Sequence, residues 1–124
     1  MNDRLELWLF VVQRITAAVL APLVLVHVAT MIYVVQGGLT AAEILSRTQG
    51  SLWWAGFYGL FVAAAAVHGS IGLRTIIREM APWTGGSRRL AAGRLAAGVA
   101  ASVAAGVFGL AILVLGFRAV SALT

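Results

Sequence analysis

Three long stretches of nearly unbroken apolar residues, separated by two short polar intervals, dominate the chain. They extend from about Trp8 to Val35, from about Trp53 to Arg74 and a little beyond, and from about Leu95 to Phe117. A helix needs ~20 mostly apolar residues to cross a bilayer, and each stretch meets that length. The pattern predicts spanning helices over about 8–35, 53–78 and 89–118. In the first interval Gly37-Gly38 ends a helix, and Thr40-Ala41-Ala42-Glu43 has the form of a capping box opening a short helix at the membrane surface. In the second, Ala81-Pro82-Trp83-Thr84-Gly85-Gly86-Ser87 is a turn by composition. The expected fold is all-α and integral to the membrane: an up-down-up bundle of three transmembrane helices, with a short interfacial helix between the first two. Residues 1–124 form one transmembrane domain. The first span is too long for a signal peptide, carries Arg14 and His27 and lacks a small-residue cleavage site, so it belongs to the mature bundle.

Composition narrows the chemistry. Hydrophobic residues make up 61% of the chain and charged residues 10%, against roughly 25% charged in a soluble domain. One bundle uses nearly all the residues, so a catalytic centre in a water-facing domain must lie on another chain. Cysteine is absent, which removes disulfides, thiolate metal sites and iron–sulfur ligation from this chain. Histidine is the soft donor that remains. Arginines set the orientation: Arg4, Arg14, Arg74, Arg78, Arg88, Arg89 and Arg94 gather at one side, with Arg47 and Arg118 at the other. The amino terminus and second turn are therefore expected to face the cytoplasm. Trp8, Trp53, Trp54 and Trp83 fall at span ends, as interfacial indoles do. The net charge of +5 reads as this topology signal, with a share available to a cytoplasmic partner or anionic lipid heads, and not as nucleic-acid binding. Arginine used to the exclusion of lysine, and the lack of a transit segment, suggest a bacterial cell (inner) membrane.

Two histidines lie within apolar spans, where an ionisable side chain marks a functional site by default. At ~1.5 Å per residue, His27 is roughly 28 Å into the first helix from Trp8, and His68 is roughly 15 Å from Arg78. Their depths differ by about 13 Å, so one metal cannot easily take both. Around His68 the same-face positions Phe61, Ala64, Ala65, Gly72 and Thr75 are mostly small, leaving room for a flat macrocycle or for a closely packed helix. Gln13, Thr16 and Thr30 share a stripe with His27, a polar seam through an apolar helix that Pro22 is expected to kink. The bland alternative is a neutral imidazole bonded across helices. Arg14 and Arg74 have one too, snorkelling to the interface, although Arg14 lies several residues inside its span. The rows Ala97, Ala101, Ala105, Gly109 and Gly98, Ser102, Gly106 read as packing surfaces.

The string His68-Gly69-Ser70-Ile71-Gly72-Leu73-Arg74, ending the second span, resembles the His-x-x-x-Gly-(Ile/Leu)-Arg pattern of the cytochrome b membrane-anchor subunit of succinate dehydrogenase and fumarate reductase. Gln13-Arg14-Ile15-Thr16-Ala17 is similar to that family's His-Arg-x-Ser-Gly at the cytoplasmic start of helix one. The resemblance covers essentially the whole chain. It implies that His68 is an axial ligand of haem b, that Arg74 lies near the haem propionates, and that Arg14 lines a quinone pocket beside the iron–sulfur subunit. Thr16 stands where a serine is usual and keeps the hydroxyl, Gln13 replaces a histidine and Ala17 a glycine, which puts the details of the quinone site in question. His27 resembles the helix-one ligand of two-haem members of the wider family, in which it serves the haem distal from the cytoplasm.

One or two haems b are therefore expected, quinone is the substrate, and no flavin or iron–sulfur cluster belongs to this chain. Each iron needs a second axial ligand, implying a second membrane-anchor subunit with histidines at matching levels. Iron–sulfur and flavoprotein subunits would dock on the cytoplasmic side. Such a complex passes electrons between iron–sulfur centres and membrane quinone, and this chain is not catalytic alone. Two other readings compete: a membrane scaffold, assembly or transporter subunit without haem, and a haem b anchor of another dehydrogenase.

Overall fold

The computed structural model describes residues 3–80 and 87–123. It is helical throughout: α1 Asp3–Gln36, α2 Ala41–Thr48, α3 Leu52–Met80 and α4 Ser87–Ser121. α1, α3 and α4 are long and apolar enough to cross a membrane, and α2 is the short helix expected between the first two spans. The helices outrun their apolar stretches because good helix formers continue the backbone at several ends, as Arg78-Glu79-Met80 does in α3. Of the second turn, Ala81 to Gly86 lie outside the described residues, and with them Trp83.

Local chemistry fixes the boundaries of α2. Gly38, at φ +62°, takes the left-handed conformation that a side chain disfavours. Its N–H donates to the Val35 carbonyl and that of Leu39 to the Val34 carbonyl, the paired bonds of a Schellman stop. Thr40 then caps α2: the Glu43 N–H donates to Thr40 Oγ1 at 3.3 Å, and the Glu43 carboxylate accepts from the Thr40 N–H at 2.8 Å. The Thr40 N–H foremost, and the Thr40 hydroxyl that also donates to the carboxylate at 2.8 Å, hold the Glu43 carboxyl below the usual range. After α2, Gly50 turns the chain at φ +75° and donates to the Leu123 carbonyl at 2.6 Å, tying this loop to the end of α4. α1 continues through Pro22 as one assigned helix, the lost backbone bond being tolerable where neighbouring turns re-satisfy the freed groups.

α3 is the central element, packed against α4 on one side and α1 on the other. Its contact with α4 is built from small residues. Ala64 and Ala66 of α3 and Ala101, Ala105 and Gly109 of α4 are buried. A methyl on Gly109 would collide with Ser70 Oγ, one on Gly116 with Val62, and one on Gly69 would stand 2.8 Å from the Phe108 ring. Among the described residues no large side chain is fully buried, and Leu25, Val35 and Leu115 are about 70% exposed (72%, 73% and 67%). Such an inside-out distribution is expected when lipid replaces water as solvent, since association then depends on close backbone approach. Of the two small-residue rows in α4, Ala101-Ala105-Gly109 packs on α3, whereas Ser102 and Gly106 are exposed.

Candidate functional site

α1 and α3 run antiparallel, and a sequence of cross-helix contacts fixes their register. Glu6 meets Arg74 and Arg78, Gln13 meets Gly72, Thr16 meets His68, and His27 meets Tyr58 and Phe61. Each helix advances ~1.5 Å per residue, so the His27 level is roughly 10–16 Å from the His68 level. The structure thus keeps the two histidines in separate layers, as their depths in the sequence require.

At the His68 layer, Nδ1 lies 3.3 Å from Thr16 Oγ1. The threonine hydroxyl is also 2.8 Å from the Val12 carbonyl and 3.1 Å from that of Gln13, both of them acceptors. Its single hydrogen serves those carbonyls, so the oxygen accepts from His68 Nδ1–H. Proton assignment on one ring nitrogen decides the other. Nε2 then carries the lone pair, and it has no hydrogen-bond partner among the described residues. The ring is half-buried at mid-span, between small neighbours. One turn further along α3, Gly72 leaves space for the Gln13 amide: a methyl there would stand 3.3 Å from its Nε2. The Gln13 Oε1 is buried without a hydrogen-bond partner among the described residues.

Two turns from His68 lies an ion-pair cluster that the sequence patterns had not singled out. Glu6 Oε1 accepts from Arg74 at 3.0 Å and from Arg78 at 2.8 Å. The Arg74 side chain is 14% exposed and that of Glu6 40%. Glu6 could have been found by depth, as the acidic residue of α1 opposite Arg74 and Arg78 once the helices are set antiparallel. Arg74, Arg78 and Arg94 also line a groove of about 970 Å³ with Leu5 and the α4 residues from Leu95 to Val103.

Arg14 is not part of this cluster. It is exposed on α1, its guanidinium 5.2 Å above the Phe10 ring, a cation–π contact. The structure therefore joins His68, Thr16 and Gln13 in one layer, with Arg74 below them, and sends Arg14 outward.

The His27 layer is built differently. Its imidazole lies against Phe61, with centroids 5.4 Å apart, and edge-on to Tyr58 at 5.8 Å. Tyr58 in turn contacts Trp54 and Phe57, completing an aromatic cluster on α3. Nδ1 of His27 is buried and has no hydrogen-bond partner among the described residues. Packing holds this ring; no acceptor fixes its proton. Among the described residues there is no group of three or more His, Cys, Asp or Glu that could hold a metal ion by itself.

The family described as succinate dehydrogenase/fumarate reductase transmembrane subunit matches residues 1–109. The chain belongs to this family. No curated protein and no solved structure matches it. The family match spans α1, α2, α3 and most of α4. It makes the chain a multi-pass membrane subunit of succinate dehydrogenase/fumarate reductase, which works together with other subunits.

Proposed function

We propose that this subunit binds haem b through His68 Nε2 and helps to form the quinone site of its complex. The carrying observation is the His68 ring itself, which is held at mid-span with Nδ1 engaged and Nε2 without a hydrogen-bond partner among the described residues. A neutral imidazole with one nitrogen fixed and the other free is the donor that haem iron takes. Small neighbours along the His68 face leave room for a planar group. When bound, haem supplies a one-electron carrier between the iron–sulfur centres and quinone.

His27 extends the proposal to a second haem in the layer farther from the arginine-rich end. The observation behind it is an imidazole clamped by Phe61 and Tyr58 whose Nε2 also lacks a partner among the described residues. Both irons would take their opposite ligands from a second membrane-anchor subunit. The arginine-rich end, with Arg74, Arg78 and Arg94, faces the cytoplasm in this reading, where iron–sulfur and flavoprotein subunits dock. The membrane is a bacterial cell membrane.

For quinone chemistry the candidate is Arg14. Its guanidinium is exposed above the Phe10 ring and is open to a neighbouring chain. A fixed guanidinium near a quinone carbonyl stabilises negative charge as it develops on oxygen. Gln13, with a buried amide oxygen lacking a partner, lies beside it in sequence and is an acceptor for a quinol hydroxyl. Arg74, already engaged by Glu6, sits at the level where propionates would meet it.

A reduced-minus-oxidised visible spectrum of the complex purified through this subunit tests the reading. Haem b absorption that falls in the His68→Leu variant is expected. An intact complex with no haem b absorption overturns the proposal in favour of a scaffold role.

A further inference from the structure

We propose that Thr16 is a positioning residue for His68: its hydroxyl fixes the imidazole tautomer and lowers the reduction potential of the iron bound there. The inference rests on the reading of His68 as a haem ligand. It gives Thr16 a task different from the quinone contact that its place in the helix-one motif suggests.

The argument begins with the donors and acceptors of one hydroxyl. Thr16 Oγ1 reaches the Val12 carbonyl at 2.8 Å and the Gln13 carbonyl at 3.1 Å, and a carbonyl offers no hydrogen in return. The hydroxyl hydrogen is therefore committed within α1. What remains on the oxygen is lone-pair capacity, and His68 Nδ1 stands 3.3 Å away to use it. The same bond that orients the ring also sets its electronics. An acceptor on Nδ1–H makes the opposite nitrogen more basic, which favours the ferric over the ferrous ion. The backbone bonds that Oγ1 donates polarise it and sharpen it as an acceptor.

The arrangement is specific to one of the two layers. Among the described residues His27 has no such acceptor: its Nδ1 is buried without a partner. The oxygen bonding His68 comes from α1, fifty-two positions away in sequence, so helix packing delivers it. Because the α1–α3 register is also held by Glu6 with Arg74 and Arg78, the contact does not depend on the haem for its placement.

The test is a redox titration of the haem in the intact complex, with low-spin ferric EPR as a second readout, in Thr16→Val and Thr16→Ser. Valine matches threonine in shape and deletes the acceptor, whereas serine keeps it. The His68→Leu variant first identifies which haem component belongs to this layer. For that component alone, Thr16→Val is expected to raise the midpoint potential by up to about tenfold in the reduction equilibrium, ~59 mV for a one-electron couple, and to shift the g-values. Thr16→Ser should restore both. An unchanged potential in Thr16→Val with haem retained overturns the inference and leaves the haem reading standing. A serine variant that shifts as far as valine also overturns it, because the hydroxyl is then not the determinant. Absence of haem from the wild-type complex defeats the reading beneath it instead.

Discussion

The His68 and His27 layers contain the same side chain, at the same α1–α3 interface, held by different forces. His68 is fixed by a hydrogen bond from Nδ1 to a threonine hydroxyl. His27 is fixed by aromatic faces, with Nδ1 buried and unpartnered. Neither ring nitrogen of His27 has a hydrogen-bond partner among the described residues, so no bond selects its tautomer, and leaving a buried N–H unpaired costs about 1–3 kcal/mol. The lesson is that two histidines alike in sequence are unequal donors: a hydrogen bond orients one ring and sets its tautomer, and packing alone holds the other. Under the proposed function, the better-prepared layer lies nearer the arginine-rich end, where electrons arrive from the soluble subunits.

Breaking each layer separately gives the largest expected effect. His68→Leu should abolish the haem of its own layer and leave the other, whereas His27→Leu should do the reverse, as measured by haem-to-protein ratio in the purified complex. Equal loss of both haems in either variant would mean that the layers are not independent. Next in size, Arg14→Leu should reduce quinone turnover at least tenfold at unchanged haem content. Unaltered quinone kinetics would move the pocket to other residues of the complex.

Smaller effects concern the scaffold that separates the layers. Gly69 follows His68 directly, and a side chain there meets the Phe108 ring. Gly69→Val should destabilise the α3–α4 contact by about 1–3 kcal/mol, seen as a lower midpoint in thermal or denaturant unfolding of the complex in detergent. The His68 haem should be disturbed before the His27 haem, because the clash adjoins the former. Smallest of all, Glu6→Gln removes a partly exposed carboxylate from Arg74 and Arg78 and should cost less than about 1 kcal/mol, with the loss diminished by salt.

The sequence made the architecture legible because its signals there are one-dimensional. Span length identified α1, α3 and α4, and the Gly37-Gly38 and Thr40-Glu43 signatures placed α2 where the structure has it. His68 stood out for the same reason, as a lone imidazole in an apolar run. Cross-helix relations were harder to read. The spanning helices are apolar on nearly every side, so the pattern that normally declares an inward face is weak, and the register is set by small residues and by ion pairs distant in sequence. Glu6 with Arg74 and Arg78, and Thr16 with His68, belong to that category. The polar seam of α1 was visible as a stripe, yet whether Gln13 and Thr16 met a ligand or a helix depended on what α3 placed opposite. Arg14 illustrates the same limit: its place in a motif said nothing of its outward direction or its contact with Phe10.

The most direct measurement is a density map of the intact complex at the His68 layer. The account predicts porphyrin iron on His68 Nε2, a histidine of a second membrane subunit on the opposite face, and Thr16 still bonded to Nδ1. A map in which Nε2 meets only a backbone carbonyl or a hydroxyl, with no porphyrin between the subunits, would contradict it.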